Sequence, residues 1–204
     1  DKSISLNTEN STAYYNRGYC YYTTNEYNKA IADYTKVFDL AEGRGTVDLN
    51  IDMGNAYYAL KEYNSALNYY DKALEVDSVS EIGYYNRAVV YTDLQEYDKA
   101  IANYDKMVEL DPSVPNLIKR AAFFLNTKQY EKSVEAYSHI LEVDSLNDAA
   151  YYDRALSYLN LGEKSKALTD FSKSLQLDPT YVRGYAYRAD LYLGMQEYAL
   201  ALAD

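Results

Sequence analysis

His139 is the single histidine of the chain and Cys20 its single cysteine. His139 lies in the helical pattern SVEAYSHILEV beside Ser138, and a Ser–His–acid relay would need further groups brought in from other helices. A histidine on the solvent side of a helix is the simpler meaning of that position. One His and one Cys fall short of a typical zinc site, and a lone cysteine closes no intramolecular disulfide. Gly43-Arg44-Gly45 lacks the spacing and the following Lys of a phosphate-binding loop. Asp and Glu number 31, but most fall at polar helix positions, where a solvated face is their usual meaning. These residues offer no catalytic, metal or cofactor site, and the chain reads as a non-enzyme.

Arginine is the charged residue with a clear pattern. It recurs at 17, 87, 120, 154 and 188, and in three cases an acid follows 16 residues later, as Asp33, Asp170 and Asp204. At the same offset Arg87 meets Asn103 and Arg120 meets Ala136; where Met53 takes the Arg place, Tyr69 takes the acid place. This partial matching predicts ion pairs that link two helices, a structural ladder in preference to a ligand site.

The Arg column belongs to a longer period. Residues 84–112 read YYNRAVVYTDLQEYDKAIANYDKMVELDP, two amphipathic helical patterns separated by a polar break at 93–96. Almost the same stretch appears five more times, and the steps from Tyr57 to Tyr91, Phe124 to Tyr158 and Tyr158 to Tyr192 are each 34 residues. The repeats span 11–44, 47–80, 81–113, 114–147, 148–181 and a truncated 182–204, after a polar lead-in at 1–10 without periodicity, read as flexible. Ser11 or Thr12 is the expected cap of the first helix. In the third repeat Tyr84, Ala88, Tyr91 and Leu94 share one helical face, and Tyr97, Ile101, Tyr104 and Val108 mark the face of the second helix. Gly or Ala at 18, 54, 88, 121, 155 and 189, and Ala at 30, 66, 100, 167 and 201, let paired backbones approach while large aromatics fill the space beside them. Asp111–Pro112 and Asp178–Pro179 end one repeat and open the next.

This pattern resembles the tetratricopeptide repeat family, whose aromatic, small, Tyr, small, aromatic and Pro positions are matched over residues 11–204. The resemblance implies an all-α, right-handed superhelical solenoid of antiparallel helix pairs. It also implies a concave face, lined by the first helix of each pair, that holds a peptide or a helix of a protein partner. Helical offsets place Tyr15, Tyr19, Tyr22, Asn55, Tyr58, Tyr85, Val89, Thr92, Ile118, Leu125, Tyr152 and Leu156 on that face, Tyr-rich early and aliphatic later. Some family members grip a C-terminal carboxylate with Lys and Asn side chains from consecutive repeats. Asn55 and Asn86 fit two of those places and Lys119 approximates a third, but Ile51 and Pro115 stand where basic residues belong, so this clamp is incomplete.

Composition narrows the partners. Of the hydrophobic 48% of residues, 27 are Tyr, which supply apolar area while keeping a polar tip. The formal net charge of −11 repels polyanions, so neither nucleic acid nor an anionic membrane is an expected partner, and no apolar run approaches a membrane span. Stacked Tyr with no Trp makes glycan binding a weaker reading. Against groove binding stands a structural alternative, self-association end to end through the open last repeat near Leu200 and Leu202. Solenoids need polar end caps, so the stop at Asp204 suggests a longer natural chain or a covered end. A start at Asp1 rather than Met is what removal of an N-terminal segment would leave; the compartment is not legible. The run AEGRGT at 41–46 adds two residues, with Gly43 the expected helix C-cap and Gly45 adding freedom, as a hinge, a change of pitch or a plain surface loop.

Overall fold

The computed structural model describes residues 2–204, without the side chains of residues 5 and 6. Thirteen helices and no strand occur among the described residues. The N-terminal compact unit, residues 1–111, holds α1 (Lys2–Leu6), α2 (Ser11–Thr23), α3 (Tyr27–Leu40), α4 (Val47–Ala59), α5 (Tyr63–Val76), α6 (Glu81–Asp93) and α7 (Tyr97–Leu110). The C-terminal unit, residues 112–204, holds α8 (Val114–Asn126), α9 (Tyr130–Val143), α10 (Asp148–Asn160), α11 (Lys164–Leu177), α12 (Val182–Gly194) and α13 (Tyr198–Ala203).

Four of the first helices, α2, α4, α6 and α10, start on side-chain caps. Thr46, Ser80 and Asn147 accept from the backbone N–H groups of Leu49, Gly83 and Ala150 at 3.2, 3.3 and 2.9 Å, satisfying donors that the helix cannot. For α2 the cap is Asn10, whose carboxamide accepts from Ala13 N at 3.0 Å, and not Ser11 or Thr12. Asn10 also donates to Ser3 Oγ at 3.2 Å, and the lead-in carries the short helix α1. That local order was not expected from a polar segment without periodicity; Asp1 lies outside the described residues.

Every first helix ends in the same hydrogen-bonded turn, and this regularity was not visible in the sequence. Positive φ occurs at Asn25, Lys61, Gln95, Lys128, Gly162 and Gln196, with φ between 60° and 78°. The next N–H then reaches back to the helix, as Glu26 to Tyr21 O, Glu62 to Tyr57 O and Glu96 to Tyr91 O, at 2.8 to 2.9 Å. These are Schellman closures, which favour glycine; five of the six sites carry a side chain in the left-handed region instead. The closure of α3 is built from Glu42 at φ 54° and Gly43 at φ 79°, with Gly43 N donating to Phe38 O at 2.8 Å. Gly43 therefore sits one place beyond the expected cap. Gly45 supplies close approach rather than freedom, since a Cβ there would lie 2.4 Å from Phe38 Cε1.

The core is made of small residues set against aromatic rings. Ala30, Ala66, Ala88, Ala100, Ala121, Ala155 and Ala167 have no exposed surface. A Cβ on Gly18 would lie 2.8 Å from Tyr34 Cε1, and one on Gly54 2.4 Å from Tyr70 Cε1, so these backbones touch the rings directly. In the last repeat the equivalent Ala189 and Ala201 are only half-buried. Helix α7 is turned by about one residue from the expected face. On α7 the buried set is Ala100, Asn103, Tyr104 and Met107, while Tyr97 is exposed and Ile101 and Val108 are half-buried. The cause is local: the small Ala100 admits the neighbouring helix, and Asn103 is drawn in by Arg87.

Candidate functional site

The Arg column is a two-sided brace. Arg17 grips Asp33 through Nε and Nη2, both at 2.7 Å. Arg154 grips Asp170 at 2.7 and 2.9 Å, and Arg188 pairs with Asp204 in the same bidentate way. Three guanidiniums also reach the second helix of the preceding repeat, 16 residues back: Arg87 to Asp71 at 2.6 Å, Arg154 to Ser138 at 3.0 Å and Arg188 to Ser172 at 3.4 Å. One planar fork thus ties three helices, a geometry Lys does not offer. The guanidiniums are also cation–π partners of nearby Tyr rings: Arg17 lies over Tyr14 and Tyr21 at 5.5 and 5.8 Å, Arg154 over Tyr151 and Tyr158 at 5.6 and 5.8 Å. These arginines are committed to the scaffold.

The first-helix face of the N-terminal unit is different in character. Tyr15 on α2 donates to Asp52 Oδ2 on α4 at 2.6 Å, and Tyr58 on α4 donates to Asp93 Oδ2 on α6 at 2.8 Å. Between them Asn55 Oδ1 accepts from both Tyr70 Oη at 2.8 Å and Asn86 Nδ2 at 3.1 Å. Repeat is thus joined to repeat by Tyr–acid and Asn–Asn bonds across adjacent first helices. Burial and the acceptor Asp52 push the Tyr15 hydroxyl well above its ordinary range, and burial with Asp93 does the same to Tyr58. Burial also raises the Asp52 carboxyl, with Asp48 adding to the effect and the Tyr15 bond opposing it. Each of the two Asn that fit clamp positions commits one polar atom to this network, Asn55 its Oδ1 and Asn86 its Nδ2.

The expected groove residues are distributed unevenly. Tyr19 is exposed, and Tyr15, Tyr22, Asn55, Tyr58, Tyr85, Val89 and Thr92 are half-buried. Tyr85 packs edge-on against Tyr104, with centroids 6.2 Å apart, and Thr92 returns its hydroxyl to Ala88 O. In the C-terminal unit Ile118, Leu125 and Leu156 are half-buried. Tyr152 departs from expectation: it is 5% exposed, locked between Phe171, Tyr181 and Tyr187 with centroids 4.6 to 6.1 Å away. Burial pushes its hydroxyl up to about 12. Tyr181, just before α12, covers the ring, which a count of helical offsets cannot foresee. In this unit Tyr137 donates to Asp153 at 2.8 Å, a bond that runs from a second helix to the following first helix.

Asp52, Asp93 and Asp153 are the residues that helical spacing missed. The only signal was an acid placed two to nine residues past an anchor position, which solvated acids show as well. A separate recess of about 710 Å³ opens beside Phe38, Gly45, Asn50, Tyr69 and Lys72. It lies where Asn50 replaces the anchor Tyr of other repeats, and Asn50 Oδ1 is buried there without a partner. His139 is exposed, Cys20 is exposed and free, and no group of His, Cys, Asp and Glu suited to a metal occurs among the described residues. No described helix is long and apolar enough to cross a membrane.

With the fold in view, the class is that of a helical-repeat interaction module. Tetratricopeptide repeat models match residues 9–78, 82–114 and 149–181, and the chain belongs to the tetratricopeptide repeat family. Among solved structures, a tetratricopeptide repeat protein from Parabacteroides merdae is 21% identical, with 95% of this chain and 76% of that one covered at a TM-score of 0.75. YrrB, described as a TPR protein with an unusual peptide-binding site, is 21% identical, with 96% of each chain covered and a TM-score of 0.65. MamA from Desulfovibrio magneticus RS-1 is 18% identical, covering 77% of this chain and 89% of that one, also at 0.65. At these identities the likeness is one of fold. A search of curated protein sequences finds no match to this chain.

Proposed function

We propose that this protein is a non-enzymatic interaction scaffold that binds a peptide or a helix of a partner protein on its first-helix faces. The observation that supports this best is the face of α2, α4 and α6. It carries Tyr15, Tyr19, Tyr22, Tyr58 and Tyr85 at least partly open, and its polar atoms are held in place by inter-repeat hydrogen bonds. Rigid Tyr rings give contact area at low entropic cost, and bonds already made between repeats leave little to order on binding. The YrrB relative, with its peptide-binding site, lends the reading precedent. The test is a display selection of peptides on the full chain, followed by titration of the selected peptides against Tyr85→Ala and Tyr19→Ala. Binding should weaken about tenfold or more with unchanged helical circular dichroism; selected peptides indifferent to both changes would sink the reading.

A second reading is self-association through α12 and α13. It is supported by Val182, Leu193, Met195, Tyr198, Leu200 and Leu202, which are 45% to 90% exposed. Large apolar side chains left open in one repeat are a mark of contact surfaces. Molar mass in solution across a concentration series tests it.

A further inference from the structure

Resting on the groove reading above, we propose that the first-helix face of the N-terminal unit selects a cationic segment, one that presents Lys or Arg side chains among apolar ones. Six charged residues lie on α2, α4 and α6. Two of them, Arg17 and Arg87, are turned onto second helices and held there by Asp33, Asp71 and Asn103. The other four are the acids Asp48, Asp52, Glu81 and Asp93, so the face has no cation left to offer. Asp52 and Asp93 are fixed by Tyr15 and Tyr58 rather than by ion pairs, leaving their charge uncompensated. Asp93 is moreover the last residue of α6, where the helix dipole disfavours an acid; an incoming cation would offset that cost. The Tyr rings beside these carboxylates complete the recognition chemistry. Lys already stacks on Tyr in this chain, at 4.6 Å for Lys72 over Tyr69 and 5.2 Å for Lys99 over Tyr91, and the open Tyr19 ring offers the same contact to a ligand.

A second, independent feature lies behind the same face. Tyr34 is fully buried and its hydroxyl has no partner. It sits among the polar groups of Asp52, Tyr15, Tyr22 and Tyr19. In the next repeat the equivalent hydroxyl, that of Tyr70, donates to Asn55; the residue at that offset from Tyr34 is Tyr19. A peptide carbonyl reaching past the Tyr19 ring would supply the missing acceptor. The net charge of −11 would speed the encounter.

The test uses the full chain and three fluorescent peptides with one apolar frame, carrying Lys, Gln or Glu at the same positions, read by anisotropy at low and high salt. The Lys peptide should bind roughly tenfold more tightly than the Gln peptide, the Glu peptide most weakly, and the Lys advantage should shrink as salt rises. Asp52→Asn with Asp93→Asn keeps both acceptors for Tyr15 and Tyr58 and should remove most of that advantage. Asp39→Asn with Glu75→Gln, which removes equal charge from second helices, should leave it within about twofold. Equal loss in both pairs would assign the effect to net charge and overturn the proposal. So would equal binding of Lys and Gln peptides; if that binding still falls with Tyr85→Ala, the groove reading stands without its charge preference. Binding by none of the peptides would count against both readings. If the double variant unfolds, Asp93→Asn alone, at an exposed position, carries the comparison.

Discussion

Tyr15 and Asp52 illustrate how single side chains serve the scaffold and the surface together. The phenol fills space against Tyr34, with centroids 5.8 Å apart, while its hydroxyl spans two repeats to reach the carboxylate. The folded-state pKa of Asp52 is raised above its unfolded value, by burial first. The fold therefore holds the proton more tightly than the unfolded chain does. The stability tied to that proton is complete below the unfolded pKa and is lost as pH rises through the raised one. Asp52→Asn keeps the acceptor and removes the titration. Its urea midpoint should thus gain on the wild type between acidic and neutral pH, and a constant difference would refute the argument. Arg154 and Asp170 form a well-enclosed brace, with side chains 19% and 6% exposed. Removing either partner alone should cost about 3–5 kcal/mol, because it strands a buried charge. Removing both should cost less than the sum, with a coupling of about 0.5–3 kcal/mol in a double-mutant cycle; additive losses would dissolve the brace.

At the level of helix pairs, the decisive contact is backbone against ring. Gly54 on α4 faces the buried Tyr70 of α5, whose hydroxyl is tied to Asn55 and so cannot retreat. Gly54→Ala should lower stability by about 1–3 kcal/mol through overpacking, even though Ala is the better helix former by about 1 kcal/mol. Gly194→Ala, with nothing within 4 Å of the added Cβ, isolates the propensity effect and should be neutral or stabilising. Denaturant midpoints with unchanged slopes would read both. The helix pairs themselves were legible in sequence because small and large residues alternate at a helical period. The turns that join them were not. Lys61, Gln95 and Lys128 are ordinary helix formers, and only the antiparallel return of the second helix forces each into the left-handed region.

For the whole molecule, exposed apolar groups raise a question of association. Leu202 is 90% exposed and Leu200 47% exposed. If they form a contact between copies, light scattering should show a mass that rises with concentration and falls back to monomer with Leu202→Glu, while Tyr85→Ala leaves it unchanged. A monomer at every concentration would exclude that contact and leave the first-helix faces as the working surface. By itself the sequence determined the all-helical repeat, the family, the small-against-aromatic core and the Arg–acid pairing, because each is written at a fixed spacing along one chain. Tertiary structure decided what depends on neighbours from other repeats. It sent Tyr152 into the core beneath Tyr181, gave Arg87, Arg154 and Arg188 a second partner 16 residues upstream, and set Asp52 and Asp93 beneath Tyr hydroxyls from the repeat before. Spacing within a helix specifies which residues share a face. Which of them remain open, and what charge they meet there, is fixed only when the next helix packs beside it.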